Sequence, residues 1–223
     1  MASLRTVIVG DVHGCATELD ALLDRIAFST GDRLVFVGDL VARGPDTLGV
    51  LDIARRTGAI VVRGNHEQNL LTPFEAASKL HRELIASLRP IDWSLVKTSP
   101  LSFDLTEHDI RVVHAGVDPA LPFERQEPDT LMRIRTVKRG GPVLWGTCYE
   151  GPPHIVFGHH AAQGLQLHPW ATGLDTGCVY GGRLTALVLA AGQKVPQDLE
   201  ARKKLLVSEP ARKVWFAPGT RDA

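Results

Sequence analysis

Three short apolar runs, Thr6-Val7-Ile8-Val9, Leu34-Val35-Phe36-Val37 and Ala59-Ile60-Val61-Val62, fall in the first third of the chain, and each ends at or near a glycine. Runs this continuous and this rich in β-branched residues suit strands buried on both faces, which is the habit of parallel sheets. Between the first two, Leu19, Leu22, Leu23 and Ile26 recur at helical spacing, with Thr17 as the expected N-cap. Between the second and third, a helix is expected from about Pro45 to Arg56, with proline at its opening and Gly58 past its end. The pattern is a βαβαβ unit. Right-handed crossovers bring the ends of its three strands to one edge, where open α/β sheets bind ligands.

The remaining chain is less explicit. His66 to Arg89 is helical in composition, and a helical cap segment is expected at about 66–100 within one domain spanning 1–223. Ile110–His114, His154–Phe157 and Arg183–Leu189 read as further strands, Pro119–Pro153 mostly as loop, and the charged stretch after Gln193 carries no strong signal. Hydrophobic residues make up 44% of the 223, enough for a substantial core. Lys+Arg and Asp+Glu balance at 25 each, so no global field draws in polyanions, and local charge must hold any such substrate. Cys15, Cys148 and Cys178 form no C-x-x-C pair, which speaks against a disulfide scaffold or zinc ribbon and suits a reducing compartment. With no signal-peptide pattern and no apolar run near the ~18 residues of a membrane span, a cytoplasmic protein without a membrane partner is expected.

Chemistry concentrates at the strand ends. The first run leads into Gly10-Asp11-Val12-His13-Gly14, the second into Gly38-Asp39, the third into Gly64-Asn65-His66-Glu67; His114 and His159 follow later apolar runs. A lone Asp or His after a strand is usually a cap or a satisfied core residue, but six at successive strand ends exceed coincidence. They suit a two-ion metal site. Asp11 and His13 would grip one ion, Asp39 has two oxygens to share, and Asn65, His114 and His159 would complete the second shell. Carboxylate, amide and imidazole ligands without thiolate favour Mn, Fe, Co or Zn, with manganese the expected pair. Two such ions ~3.5–4 Å apart form a clamp for in-line attack on phosphorus.

GDVHG, GDLVARGP, GNHE, VHAG and FGHH, in this order between about Val7 and Leu189, resemble the calcineurin-like metallophosphoesterase family. The resemblance implies an α/β fold, a two-sheet β-sandwich flanked by helices, with two metals at the sheet edge and hydroxide as the attacking group. It also implies His66 as the general acid for the leaving oxygen. Protein serine/threonine phosphatases of the family carry Asp where this chain has Ala42. GDLVARGP and the segment Leu174–Gly182 instead resemble the symmetrical diadenosine tetraphosphate hydrolases and their shorter relatives, some of which remove nucleotide caps from RNA ends. Ala161 stands where many members have a second histidine of GHxH, so the first metal would rely on three protein ligands and water. His160 stands where Thr or Asp is common; its side chain could touch substrate, but exposure or a structural hydrogen bond is the expectation.

Arg43 is expected to point at a bound phosphate. Arg133 and Arg135 are candidates for further phosphates, with Arg135 fitting the relatives' pattern better, and Tyr180 for a phosphate hydrogen bond or a base stack. Trp93, Trp145 and Trp170 are candidate base platforms or core residues, and Lys79, His81 and Arg82 the solvated face of the cap helix. The expected activity is metal-dependent hydrolysis of dinucleoside polyphosphates, cutting diadenosine tetraphosphate into two ADP. The alternatives are a protein phosphatase of the same fold, or cap removal from an RNA 5′ end. The oligomeric state is open.

Overall fold

The structure is a computed structural model that describes residues 5–219. The expected unit is present as β1 (Thr6–Val9), α1 (Ala16–Arg25), β2 (Arg33–Phe36), α2 (Thr47–Arg56) and β3 (Ile60–Val61), with the three strands parallel. Three helices follow, α3 (Asn65–Leu70), α4 (Lys79–Ser87) and α5 (Pro90–Thr98), then β4 (Ser102–Leu105) and β5 (Ile110–Val113). Next come α6 (Pro128–Arg133), the ribbon β6 (Thr136–Lys138) and β7 (Pro142–Leu144), β8 (His154–Phe157), β9 (Gln166–His168) and β10 (Ala171–Gly173). The chain closes with β11 (Arg183–Leu189), α7 (Leu199–Lys203) and β12 (Leu206–Pro210).

Two five-stranded sheets result, ordered β12-β11-β1-β2-β3 and β4-β5-β8-β10-β9. Strand alternation explains why Val7–Val9 of β1 and Leu34–Phe36 of β2 are apolar without a break. Val7, Val9, Leu34 and Phe36 face the helices, packing with Leu19, Leu22, Val50 and Leu51. Ile8, Val35 and Val37 face the other way and meet Leu105, Ile110, Val112 and Val156 of the second sheet. Val113, Ile155 and Phe157 turn to the outer side of that sheet, with Leu131 and Trp145. The fold is therefore a two-sheet sandwich with helices outside. Truncating Ile8, fully buried between the sheets, to alanine would cost about 2–5 kcal/mol.

Several boundaries differ from expectation, each for a local reason. Helix α1 begins at Ala16 after Cys15, not behind Thr17. Helix α2 begins at Thr47, because Asp46 caps it by accepting the Gly49 N–H at 2.7 Å. The stretch Pro119–Pro153 holds α6 and the β6–β7 ribbon rather than loop alone, and the tail after Gln193 supplies α7 and the edge strand β12. Among the described residues no helix is long and apolar enough to cross a membrane.

Candidate active site

The loops after β1, β2 and β3 are laced into one body before any ligand is considered. The Asp39 carbonyl accepts the N–H groups of Val12 and His13 at 3.1 and 2.8 Å. Glu67, fully buried, accepts from the N–H groups of Asp39, Leu40 and Gly64 at 2.8, 2.8 and 2.9 Å. Asp39 Oδ1 in turn accepts the His66 N–H at 2.9 Å. Gly38, at φ +110°, allows this crossing; a Cβ there would lie 2.7 Å from Gly64 N and 2.8 Å from His114 Nδ1. Backbone strain gathers at the same place. His13, Asp39, Ala42, Arg43 and His159 all hold φ between +46° and +70°, a region that L-residues occupy only when the surroundings enforce it.

With the turns after β5 and β8, these loops bring two groups of ligand atoms together, each within 4.8 Å: His13, Asp39 and His66, and Asp39, His114 and His159. Asp39 belongs to both. His13 Nδ1 donates to the Val41 carbonyl and His114 Nδ1 to the Val37 carbonyl, each at 3.0 Å. That leaves both Nε2 atoms facing Asp39 Oδ2, at 3.6 and 3.4 Å. Backbone acceptors that fix the ring in this way are the usual support of metal-binding imidazoles. Asn65 Oδ1 lies 3.1 Å from His114 Nε2. Asp11 stands outside both groups, its carboxylate accepting the His159 N–H at 3.1 Å. His66 lies with His13 and Asp39 in the first group, and Asp11 adjoins the cluster through its bond to the His159 N–H.

The electrostatics of the cluster favour a cation. Burial, then Asp175 and Asp39, push the Asp11 carboxyl well above its ordinary range. Burial also raises Asp175, to about 6. At His114 burial opposes the charged ring, but Asp39, Asp11 and Glu67 outweigh it and hold the imidazolium up to about 10. Burial lowers His13 to about 4 and His159 to about 3. Carboxylates that repel one another and imidazoles with oriented Nε2 atoms form a donor set that fits divalent metal.

A pocket of about 790 Å³ opens over the cluster, lined by His13, Asp39, Asn65, His66 and His159 and by Arg43, Arg135 and Tyr180. Arg43 Nη1 lies 3.5 Å from His13 Nε2 and donates to the Tyr180 hydroxyl at 2.7 Å. Arg135 also lines the pocket, and its charge helps depress His159 and His160. His160, half-buried, also lines the pocket. Arg133 is turned away, paired with Asp129 and bonded to Asn69. Trp145 is core, 2% exposed, its Nε1 donating to the Ala115 carbonyl. Trp93 packs at the margin of the helical core with Lys97 over its ring, and neither Trp93 nor Trp170 lines the pocket.

Two residues were missed in the sequence. His81 is not on the solvated face of α4: it is 2% exposed and stacks on His66 with ring centroids 5.3 Å apart. Its signal was a histidine among Leu80 and Leu84, drowned by the adjacent Lys79 and Arg82. Asp175 lines the pocket and is coupled to Asp11; a carboxylate directly after Gly173-Leu174 repeats the strand-end pattern of Asp11 and Asp39.

Residues 4–206 match the family model of the calcineurin-like phosphoesterases. A symmetrical bis(5′-nucleosyl)-tetraphosphatase from Chromohalobacter salexigens is 33% identical, over 85% of this chain and 96% of its own. An asymmetrical bis(5′-nucleosyl)-tetraphosphatase from Halalkalibacterium halodurans is 31% identical, over 81% of this chain and 88% of its own. A crystal structure provisionally described as a diadenosine tetraphosphatase superposes with a TM-score of 0.81 at 35% identity, covering 94% of each chain. A serine/threonine phosphatase from Saccharomyces cerevisiae, at 16% identity and a TM-score of 0.60 over 99% of this chain and 82% of that one, shares the fold.

Proposed function

The chain belongs to the calcineurin-like phosphoesterase family, and from that premise we propose that it cleaves diadenosine tetraphosphate symmetrically into two ADP. Relatives of both names, symmetrical and asymmetrical, extend over most of the chain, so the place of the cut is argued from the pocket. The observation that supports it is that two arginines line the pocket over the His/Asp cluster, Arg43 near His13 and Arg135, whose charge acts on His159 and His160. An internal cut of a tetraphosphate leaves phosphate on both sides of the reacting phosphorus, two on each in the symmetrical cut, and two guanidinium groups suit that charge.

In this reading Asp11, His13 and Asp39 would hold one divalent ion, and Asp39, Asn65, His114 and His159 the other, manganese being the expected metal. The two ions would supply Lewis acidity and water activated at neutral pH. The protein's own part is orientation. Val41 and Val37 hold the rings of His13 and His114 through their Nδ1–H groups. Arg43 and Arg135 align the phosphate chain, and Tyr180 shares its hydroxyl between Arg43 and a phosphate oxygen. His66 hands a proton to the departing ADP. Here Ala42 replaces the aspartate that supports this histidine in protein phosphatases, and the His81 ring lies against His66 instead. Chromatography of the products from diadenosine tetraphosphate with Mn tests the reading. ADP alone supports it, whereas ATP with AMP, or no turnover, overturns it.

A further inference from the structure

The segment 211–219 lies beyond the residues matched to the family, yet Pro218 and Gly219 line the pocket. Its seat is built from several fixed contacts. The Ala211 N–H donates to the Gly182 carbonyl at 2.9 Å, and the N–H groups of Trp215 and Phe216 share the Val179 carbonyl at 3.0 and 2.9 Å. From the other side Glu18, fully buried on α1, accepts the Arg212 N–H at 3.0 Å and Trp215 Nε1–H at 2.8 Å. Gly181 holds φ +89°, and a Cβ there would come within 2.8 Å of Val214 Cγ2. The turn beneath and the segment above are thus fitted to each other.

So seated, Phe216 reaches the pocket arginine. The Arg43 guanidinium carbon lies 5.6 Å from the Phe216 ring centre and 5.7 Å from that of Tyr180. The two rings are 6.4 Å apart and inclined at 65°. An arginine side chain carries ~2 kcal/mol of rotamer entropy. Contact with two aromatic rings at once removes part of that freedom before phosphate arrives, so less is lost on binding. We propose that Phe216 is a positioning residue, which holds Arg43 ready for phosphate and gives the C-terminal segment control over the affinity of the site. The proposal rests on the reading of Arg43 as a phosphate contact.

The test is a double-mutant cycle on the metal-loaded full chain, titrated calorimetrically with inorganic phosphate. Phe216→Ala is expected to weaken phosphate binding about five- to tenfold, and Phe216→Tyr to keep it near the parent value. Adding Phe216→Ala to Arg43→Ala is expected to cost nothing further, because the effect passes through the guanidinium. An unchanged Kd in Phe216→Ala, or losses that add in the double variant, would overturn the proposal. Should Phe216→Ala fail to fold, Phe216→Leu keeps the apolar seat while removing the ring, with the same expectations. Glu18→Gln offers a separate route, expected to loosen the Trp215 anchor and weaken phosphate binding without touching the pocket wall. Inorganic phosphate is common to every candidate substrate, so the cycle stands whether diadenosine tetraphosphate yields ADP, yields ATP and AMP, or is not cut.

Discussion

Arg202 and Asp39 are both withdrawn from solvent, at 0% and 2% exposure, but their surroundings differ in kind. Arg202, on α7, donates to the carbonyls of His168, Pro196 and Pro169 at 2.6, 2.9 and 3.3 Å. Its nearest polar side chain is Thr172, which also bonds His154 Nε2 at 2.9 Å. No carboxylate pairs with it among the described residues, and burial lowers its pKa. Around Asp39 the sign is reversed: buried carboxylates face one another and two imidazoles turn Nε2 inward. The guanidinium is saturated by fixed dipoles, so its cage is complete as folded. In the acid cluster the charged His114 ring balances Asp39, while burial and neighbouring carboxylates leave Asp11 and Asp175 raised. Burial alone does not separate a structural cluster from a ligand site; the state of its partners does.

The contrast can be broken at either end. Asp39→Ala should lower turnover by at least about a thousandfold while circular dichroism still reports a folded protein. A chelator should do the same to the parent, with Mn restoring it. Retained activity in the variant would end the shared-ligand reading. Arg202→Met should act in the opposite way, removing about 3 kcal/mol of stability in denaturant titrations with kcat/KM of the folded enzyme unchanged. A loss of activity there would erase the distinction between the clusters.

Acid should sharpen it. Burial first, and Arg202 second, depress His154 to about 3, and its buried Nδ1 has no hydrogen-bond partner. An unfolded histidine titrates near ~6.5. Between those values the unfolded chain binds the extra proton, so stability falls as pH falls through that window, by up to about 1.4 kcal/mol per pH unit. His154→Gln should flatten this dependence of Tm; an unaltered slope would place the titrating group elsewhere. The smallest effect is expected from His81→Ala, about a tenfold drop in kcat with KM held, if its ring orients His66. A change in KM alone would show that His81 shapes the pocket rather than the acid.

What could be read from the sequence follows the same division. Val7-Ile8-Val9 and Leu34-Val35-Phe36 announced doubly buried strands because one strand carries both core faces in consecutive residues. Asp11, His13, Asp39 and Asn65 were legible because strand ends converge wherever crossovers share a hand. Strand β12 was not, since Leu206–Pro210 acquires its identity only by pairing with β11. His81 was hidden for a related reason: Lys79 and Arg82 advertise a wet helix face, while only the docking of α4 presses that ring onto His66. The approach of His66 to His13 and Asp39 depends on side-chain directions that spacing does not carry.

The left-handed backbone at His13, Asp39, Ala42, Arg43 and His159 sets which substitutions selection can accept. At His13, Asp39 and His159 glycine would relax the chain but delete a donor, so relief and chemistry exclude each other. At Arg43 it would delete the proposed phosphate contact. Of these five, Ala42 alone carries the strain without a polar side chain. A lineage drifting toward hotter habitats therefore has one open door in this loop, Ala42→Gly, and it stands beside the arginine proposed to bind phosphate.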